Sequence, residues 1–339
     1  MLRNVTICDI ADALNLTPAT VSRALNDSYQ ISEQTKIRVR TLADEWNYRP
    51  NRMAKGLRSN KTMLVGVLMP SISYYFNSSA ISGIEETLIP KGYRVIICQT
   101  GEKLQREIAN LNDLYSIGVD GLIASLSSET INIEHFKPFI SSGRPIIFLD
   151  RVPTLTNYPK VIIDNVKIAY TAVSQLLKTG RRKIVWMAGP QGLMISDLRY
   201  EGYCQAHREA GLSVDDQLKI NSQFDSQSSY RELTKLLTLR ADIDGVLSVN
   251  DQIAIEALAS VRDFGKRVPE DVAIMGINND PMTALVYPAL TTMRQPANEM
   301  GKFAAQLLLK QMMGKLVESR DYVFETQLVE RKSTILPTL

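Results

Sequence analysis

Residues 6–26, Thr-Ile-Cys-Asp-Ile-Ala-Asp-Ala-Leu-Asn-Leu-Thr-Pro-Ala-Thr-Val-Ser-Arg-Ala-Leu-Asn, fit two short helices joined by a tight turn and little else. Ile7, Ile10, Ala11 and Leu14 recur at the i, i+3, i+4, i+7 spacing of one apolar helical stripe. Thr17 then has the chemistry of a helix N-cap, and Pro18 that of a first helical residue, where the missing N–H costs nothing. In the second helix Val21, Ala24 and Leu25 fall inward, so Pro18, Ala19, Ser22 and Arg23 project outward from its first two turns. A helix presented this way suits the major groove of duplex DNA. Arg23 can donate to guanine, Thr20 and Ser22 suit phosphate oxygens, and Ala19 suits a thymine methyl. An ordinary surface hairpin has the same spacing, so the residues that follow decide between the two readings.

A third helix is predicted from Ser32, with Val39, Leu42, Ala43 and Trp46 facing inward to close a headpiece of about fifty residues. Residues 47–61 then carry five basic side chains, Arg49, Arg52, Lys55, Arg58 and Lys61, and no acidic one. Residues 1–61 hold ten Lys and Arg against six Asp and Glu, net +4, whereas residues 62–339 hold twenty-nine against thirty, net −1. The overall +3 is therefore a basic arm on a near-neutral body. A plain tether would not need Pro50 at a helix start with Ala54 and Leu57 on one face. So short a helix is unstable alone and is expected to order on DNA or against a second copy, with Leu57 as an apolar wedge between base steps.

The body alternates strand-length apolar runs with helical segments. The runs are Leu64–Met69, Arg94–Cys98, Gly121–Ala124, Pro145–Leu149, Lys183–Met187, Gly245–Val249 and Val272–Ile277. This pattern predicts parallel sheets covered on both faces, and the length predicts two lobes. Ligands of such folds sit at the C-terminal ends of the strands. Just past these runs come Ser71 and Ser73, Ser125 and Ser127, Asp150, Asn250 and Asp251, and Asn278 and Asn279, with Arg199 on the helix after Met187. Each has a plain alternative: Asp251 and Asp164 or Asn165 as helix caps, Asp150 and Arg151 as a weak surface pair.

Other classes find little support. The first residues lack the apolar stretch of a signal peptide, and no apolar run reaches a membrane span, so a secreted solute-binding protein is not expected. Cys8, Cys98 and Cys204 are widely spaced and read as reduced thiols of a cytoplasmic protein. Gly189-Pro-Gln-Gly192 has neither a phosphate-loop ending nor a dinucleotide fingerprint, and His135 and His207 stand far apart. No catalytic residue, metal site or cofactor is expected.

In its headpiece (Thr20-Val-Ser-Arg-Ala-Leu-Asn26), its hinge (Tyr48-Arg-Pro-Asn51, Ala54, Leu57) and along its body, the chain resembles the LacI/GalR family of bacterial transcription regulators. The resemblance implies a helix-turn-helix headpiece over residues 1–48, a hinge helix and linker over 49–61, and a body over 62–339. That body would be periplasmic-binding-protein-like, with two doubly wound parallel-sheet lobes. One lobe would hold about 62–162 and 293–322, the other about 164–290 and 325–339, with crossings near 162–164, 290–293 and 322–325. By the same resemblance Pro18, Ala19 and Arg23 would read bases, Thr17, Thr20 and Ser22 would hold phosphates, and Thr6, Asn26, Asn51 and Ala54 would join them on a two-fold symmetric double-stranded operator, wedged open by paired Leu57 side chains. A small effector, expected to be a sugar or sugar derivative, would meet Asp150, Arg199, Asn250 and Asn278 between walls formed by Tyr75, Phe76 and Phe224, with Ser71 and Ser127 close by.

The chain departs from the family in two places. Gly276-Ile-Asn-Asn279 stands where many members have Gly-Phe-Asp-Asp, and Tyr74-Tyr75 where Asn-Pro is frequent. A corepressor such as a nucleobase or another metabolite is the alternative effector, and a cytoplasmic solute-binding protein the alternative class. After the last family-like strand only Thr338 and Leu339 follow, so a homodimer is expected, with Ile81, Ile84 and Leu88 or Ile253–Leu258 as candidate contact stripes or, equally, as ordinary sheet-facing cores.

Overall fold

The computed structural model describes residues 5–49, 61–154, 157–190, 192–222 and 226–335, which belong to two compact units divided between Thr62 and Met63. The first unit holds α1 (Ile7–Leu14), α2 (Pro18–Leu25) and α3 (Glu33–Glu45). Each starts where a side chain accepts a free backbone N–H. Thr6 and Asp9 form a reciprocal capping box, Thr17 accepts from the Thr20 N–H at 3.2 Å, and Ser32 accepts from the Thr35 N–H at 3.3 Å. Ile10, Ala11, Val21, Ala24, Val39 and Ala43 form the buried centre, with Leu14, Leu25 and Leu42 packed around it. Trp46, expected inside, is 39% exposed. The helix stops at Glu45, Asn47 turns the chain with φ of 51°, and Tyr48 packs on the core instead.

The second unit runs β1 (Leu64–Met69), α4 (Tyr75–Leu88), β2 (Arg94–Gln99), α5 (Leu104–Ile117), β3 (Gly121–Ala124), α6 (Lys137–Ser141), β4 (Ile146–Leu149), β5 (Lys160–Ile163), α7 (Asn165–Lys178) and β6 (Ile184–Ala188). It continues with α8 (Met194–Glu209), β7 (Lys219–Asn221), α9 (Ser226–Leu239), β8 (Gly245–Ser248), α10 (Asp251–Asp263), β9 (Ala273–Asn278), β10 (Thr291–Arg294), α11 (Ala297–Met312), β11 (Asp321–Phe324) and β12 (Gln327–Val329). Two six-stranded sheets result, ordered β2-β1-β3-β4-β5-β11 and β7-β6-β8-β9-β10-β12. The two orders are the same doubly wound pattern used twice. All pairings are parallel except β10 with β12.

The chain passes between the sheets after β5, after β10 and between β11 and β12. The second passage follows Arg294 and so comes later than the 290–293 read from the sequence, because Thr291–Arg294 pairs with β9. Each lobe also joins its first helix to an incoming one by close backbone contact. A Cβ on Gly83 of α4 would lie 2.1 Å from the Asn298 carbonyl oxygen of α11, and one on Gly202 of α8 would lie 2.1 Å from that of Val166 on α7. Ile81, Ile84 and Leu88, like Ile253, Ala254, Ala257 and Leu258, are buried within this chain. The two stripes proposed above for contact between copies are therefore core.

Candidate functional site

On the headpiece, Val21 and Ala24 of α2 face the core while Pro18, Ala19 and Arg23 are exposed and Thr20 and Ser22 half-exposed. The outward face expected from spacing is thus the one α2 presents. Its polar ends are already engaged. The Thr17 hydroxyl lies 2.9 Å from that of Thr20, and the Asn26 amide donates to the Ser22 carbonyl oxygen at 2.7 Å. Thr6 is exposed and belongs to the cap of α1. Asn51, Ala54 and Leu57 lie outside the described residues, as do Lys55 and Arg58.

In the body, the strands of both sheets end at a cavity of about 40 Å³. Its walls include Tyr74, Phe76 and Asn77 from the start of α4, Asp150 and Arg151 after β4, Ile195 and Arg199 of α8, Val249 and Asn250 after β8, Asn278 at the end of β9, and Gln295 after β10. These segments meet because the first helix of each lobe begins beside the point where strand order reverses. A larger chamber of about 210 Å³, lined in part by Ser127, Thr130, Ile133 and Leu193, shares Arg151 and Ile195 with it.

Local structure holds each polar group in place. Asp150 sits in the left-handed region with φ of 63°, a conformation Asp tolerates. Burial pushes its carboxyl above the usual range, opposed by the nearby Arg151 and Arg199 charges. Arg199 is buried, donating through Nε to Asn165 Oδ1 at 2.9 Å and through Nη1 to the Val249 carbonyl oxygen. Burial brings it down to about 10, so it remains charged at neutral pH. Asn250 caps α10 by accepting the Ile253 N–H at 2.9 Å, and Asn278 accepts from Gln295 Nε2 at 2.6 Å.

The structure brings Phe76, Asp150, Arg199, Asn250 and Asn278 together around the smaller cavity and places Ser127 in the adjoining chamber. Ser71 and Tyr75 are not among the walls. The Ser71 carbonyl oxygen accepts from the Asn77 amide at 2.7 Å, and Tyr75, first residue of α4, is 36% exposed while its neighbour Tyr74 faces the cavity. Phe224 lies outside the described residues. Two plain readings also change. Asn250 and not Asp251 caps α10; Asp251 is buried and accepts from the Thr292 hydroxyl at 2.6 Å and the Asp280 N–H at 2.7 Å, which braces the loop after Asn278. Arg151 is no surface residue. It is buried and contacts both carboxylate oxygens of Glu102 at 2.7 and 2.8 Å.

Comparison with known proteins agrees along the chain. The family described as "Bacterial regulatory proteins, lacI family" matches residues 6–51, and a periplasmic binding protein-like domain matches residues 173–334. The HTH-type transcriptional regulator RegA of Clostridium saccharobutylicum is 33% identical over 336 residues, covering 97% of this chain and 99% of that protein. Among solved structures, the lac repressor dimer bound to operator and the anti-inducer ONPF shares the fold with a TM-score of 0.85 at 22% identity, over 98% of this chain and 100% of that one. A complex of the transcriptional regulator CelR with cellobiose aligns with a TM-score of 0.72 at 27% identity, over 97% of this chain and all of that one.

Proposed function

The chain belongs to the lacI family of bacterial regulatory proteins, and on that premise we propose that it is a cytoplasmic repressor whose grip on a two-fold symmetric operator is set by a neutral, polyhydroxylated molecule held between its lobes. The observation that carries the ligand class is the charge balance of the cleft. Asp150 and Arg199 line the cavity near enough to attract one another, and the Arg151 charge is met by Glu102. The remaining polar walls are amides, Asn77, Asn250, Asn278 and Gln295, each able to donate and accept, beside the rings of Tyr74 and Phe76. Such a set suits hydroxyls on one side and C–H faces on the other. The sugar-bound relative, the CelR–cellobiose complex, agrees with it.

On the DNA side, Pro18, Ala19 and Arg23 read base edges, Thr20 and Ser22 meet phosphates, and the basic hinge with Leu57 enters the minor groove. Two copies are needed for a symmetric site. The surface for the second copy is the loop after β9, where Met282, Leu285 and Tyr287 are 53%, 76% and 76% exposed and Arg262 of α10 donates to the Tyr287 carbonyl oxygen. Ligand binding favours one arrangement of the lobes, and DNA affinity follows; by linkage, DNA changes ligand affinity by the same factor.

The test is fluorescence anisotropy of a selected operator duplex titrated with neutral sugars and nucleosides. A ligand that shifts DNA affinity of the wild type is expected to lose its effect in Asp150→Asn and Arg199→Met, with operator binding in the absence of ligand retained. An unchanged response in both variants would move the ligand out of this cleft.

A further inference from the structure

The walls of the small cavity, taken alone, do not explain a preference for neutral ligands. They carry two guanidiniums, Arg151 and Arg199, against one carboxylate, Asp150, a set that would draw an oxyanion. The group that cancels the excess is Glu102, which stands behind Arg151 and is not a wall residue. It sits after β2 in the left-handed region with φ of 62°, and both of its carboxylate oxygens accept from Arg151 Nη1. Oε2 also accepts the Ser128 N–H at 2.9 Å, which ties the carboxylate to the loop after β3. Side-chain exposures of 9% for Arg151 and 18% for Glu102 place the pair where water screens it little. Arg151, Arg199 and Glu102 all lie near enough to Asp150 to act on its carboxyl, so the four side chains share one electrostatic environment.

We propose that Glu102 is a built-in counter-anion that sets ligand selectivity, keeping phosphorylated and carboxylated molecules out of the cleft by occupying the guanidinium they would need. An acidic ligand entering the wild-type cleft meets Asp150 and Glu102 with no uncompensated cation, and so loses its hydration without return. With the Glu102 charge removed, Arg151 and Arg199 keep Asp150 as the one carboxylate among the cavity walls, with buried Asp251 acting on Arg199 from outside them, and a compact oxyanion restores the balance. This inference rests on the cleft being the ligand site.

Inorganic phosphate is the probe, titrated calorimetrically into full-length wild type, Glu102→Gln and the double variant Glu102→Gln/Arg151→Gln at fixed ionic strength in chloride. Saturable binding at least about tenfold tighter to Glu102→Gln than to wild type is expected, lost again in the double variant. Equal affinity for wild type and Glu102→Gln would overturn the proposal, as would binding that survives in the double variant, which would mark an adventitious ion only. Should Glu102→Gln fail to fold in chloride, refolding becomes the readout: recovery in phosphate of Glu102→Gln but not of the double variant supports the proposal, and recovery of both or of neither, which general salting-out by phosphate would give, overturns it. Neutral sugars titrated in parallel into wild type test the ligand site separately, since their failure to bind would leave the phosphate comparison standing.

Discussion

Arg23 is the exposed cation on the second turn of α2, and its removal separates reading from holding. Arg23→Ala is expected to relax base preference at one position per half-site, at a cost of about 1–3 kcal/mol there, whereas substitution of Lys55 or Arg58 weakens all duplexes alike and flattens the salt dependence. Competition between operator variants at two salt concentrations measures both. Asp251 gives a pH signature. Burial pushes its carboxyl from 3.8 up to about 7, against the hydrogen bonds from Thr292 and Asp280 that pull it down. Between those values the folded chain keeps a proton that the unfolded chain has released, so stability falls as pH rises from about 4 to about 7 and levels off above. Asp251→Asn is expected to remove this contribution, at most about 1.4 kcal/mol per pH unit, as the difference between urea melts of the two proteins across that interval. At this scale the sequence pointed to Asp150, Asn250 and Asn278, which follow or end recognisable strands, and to Arg199 in the second turn of a recognisable helix, and the structure brings the four to one cavity. The sequence did not show Arg151, whose partner Glu102 is 49 residues away, or distinguish Tyr74 from Tyr75, which requires the first turn of α4 to the residue.

Among the elements, strands inside apolar runs were legible, even at the four residues of β3, β4 and β8, and those with fewer apolar residues were not. β5, β7, β10, β11 and β12 carry polar or charged residues such as Lys160, Lys219, Thr291, Asp321 and Gln327 that leave the apolar pattern too short to stand out, yet β5 with β11 and β10 with β12 form the sides of the sheets where the chain changes lobes. The repetition of one doubly wound sheet in both lobes came from the family resemblance and not from the residue pattern, and the structure has it. It extends to helix contacts: Gly83 is the ninth residue of α4 and Gly202 the ninth of α8, and each lets a helix touch the backbone of the helix entering its lobe. Since a side chain there meets backbone and not a movable group, Gly83→Ala and Gly202→Ala are each expected to destabilise the body by about 1–3 kcal/mol or more in urea melts. No loss, or a stabilisation approaching the about 1 kcal/mol that helix propensity alone would give, would show that the helices can slide apart.

For the whole molecule, the sequence carried the helical headpiece and the two-sheet body, the hinge it expected lies outside the described residues, and it did not point to the surface proposed above for a second copy. Its candidate stripes were apolar helix faces, and such faces in an α/β lobe are already used against the sheet. Met282, Leu285 and Tyr287, the exposed residues proposed above for that contact, lie in a loop with a single 3-10 turn, where periodicity carries no signal. Tyr287→Asp is expected to weaken self-association, shifting the sedimentation of the chain toward the monomer at micromolar concentration while leaving its fold unchanged, and to lower operator affinity in step. The most direct test of a symmetric, sequence-reading regulator is selection from randomised duplex DNA by the full-length wild-type chain, repeated in the presence of neutral sugars. Enrichment of a palindrome of two half-sites, with recovery changed by a ligand, is expected. Enrichment of no sequence in either condition, or of one without two-fold symmetry, would contradict it.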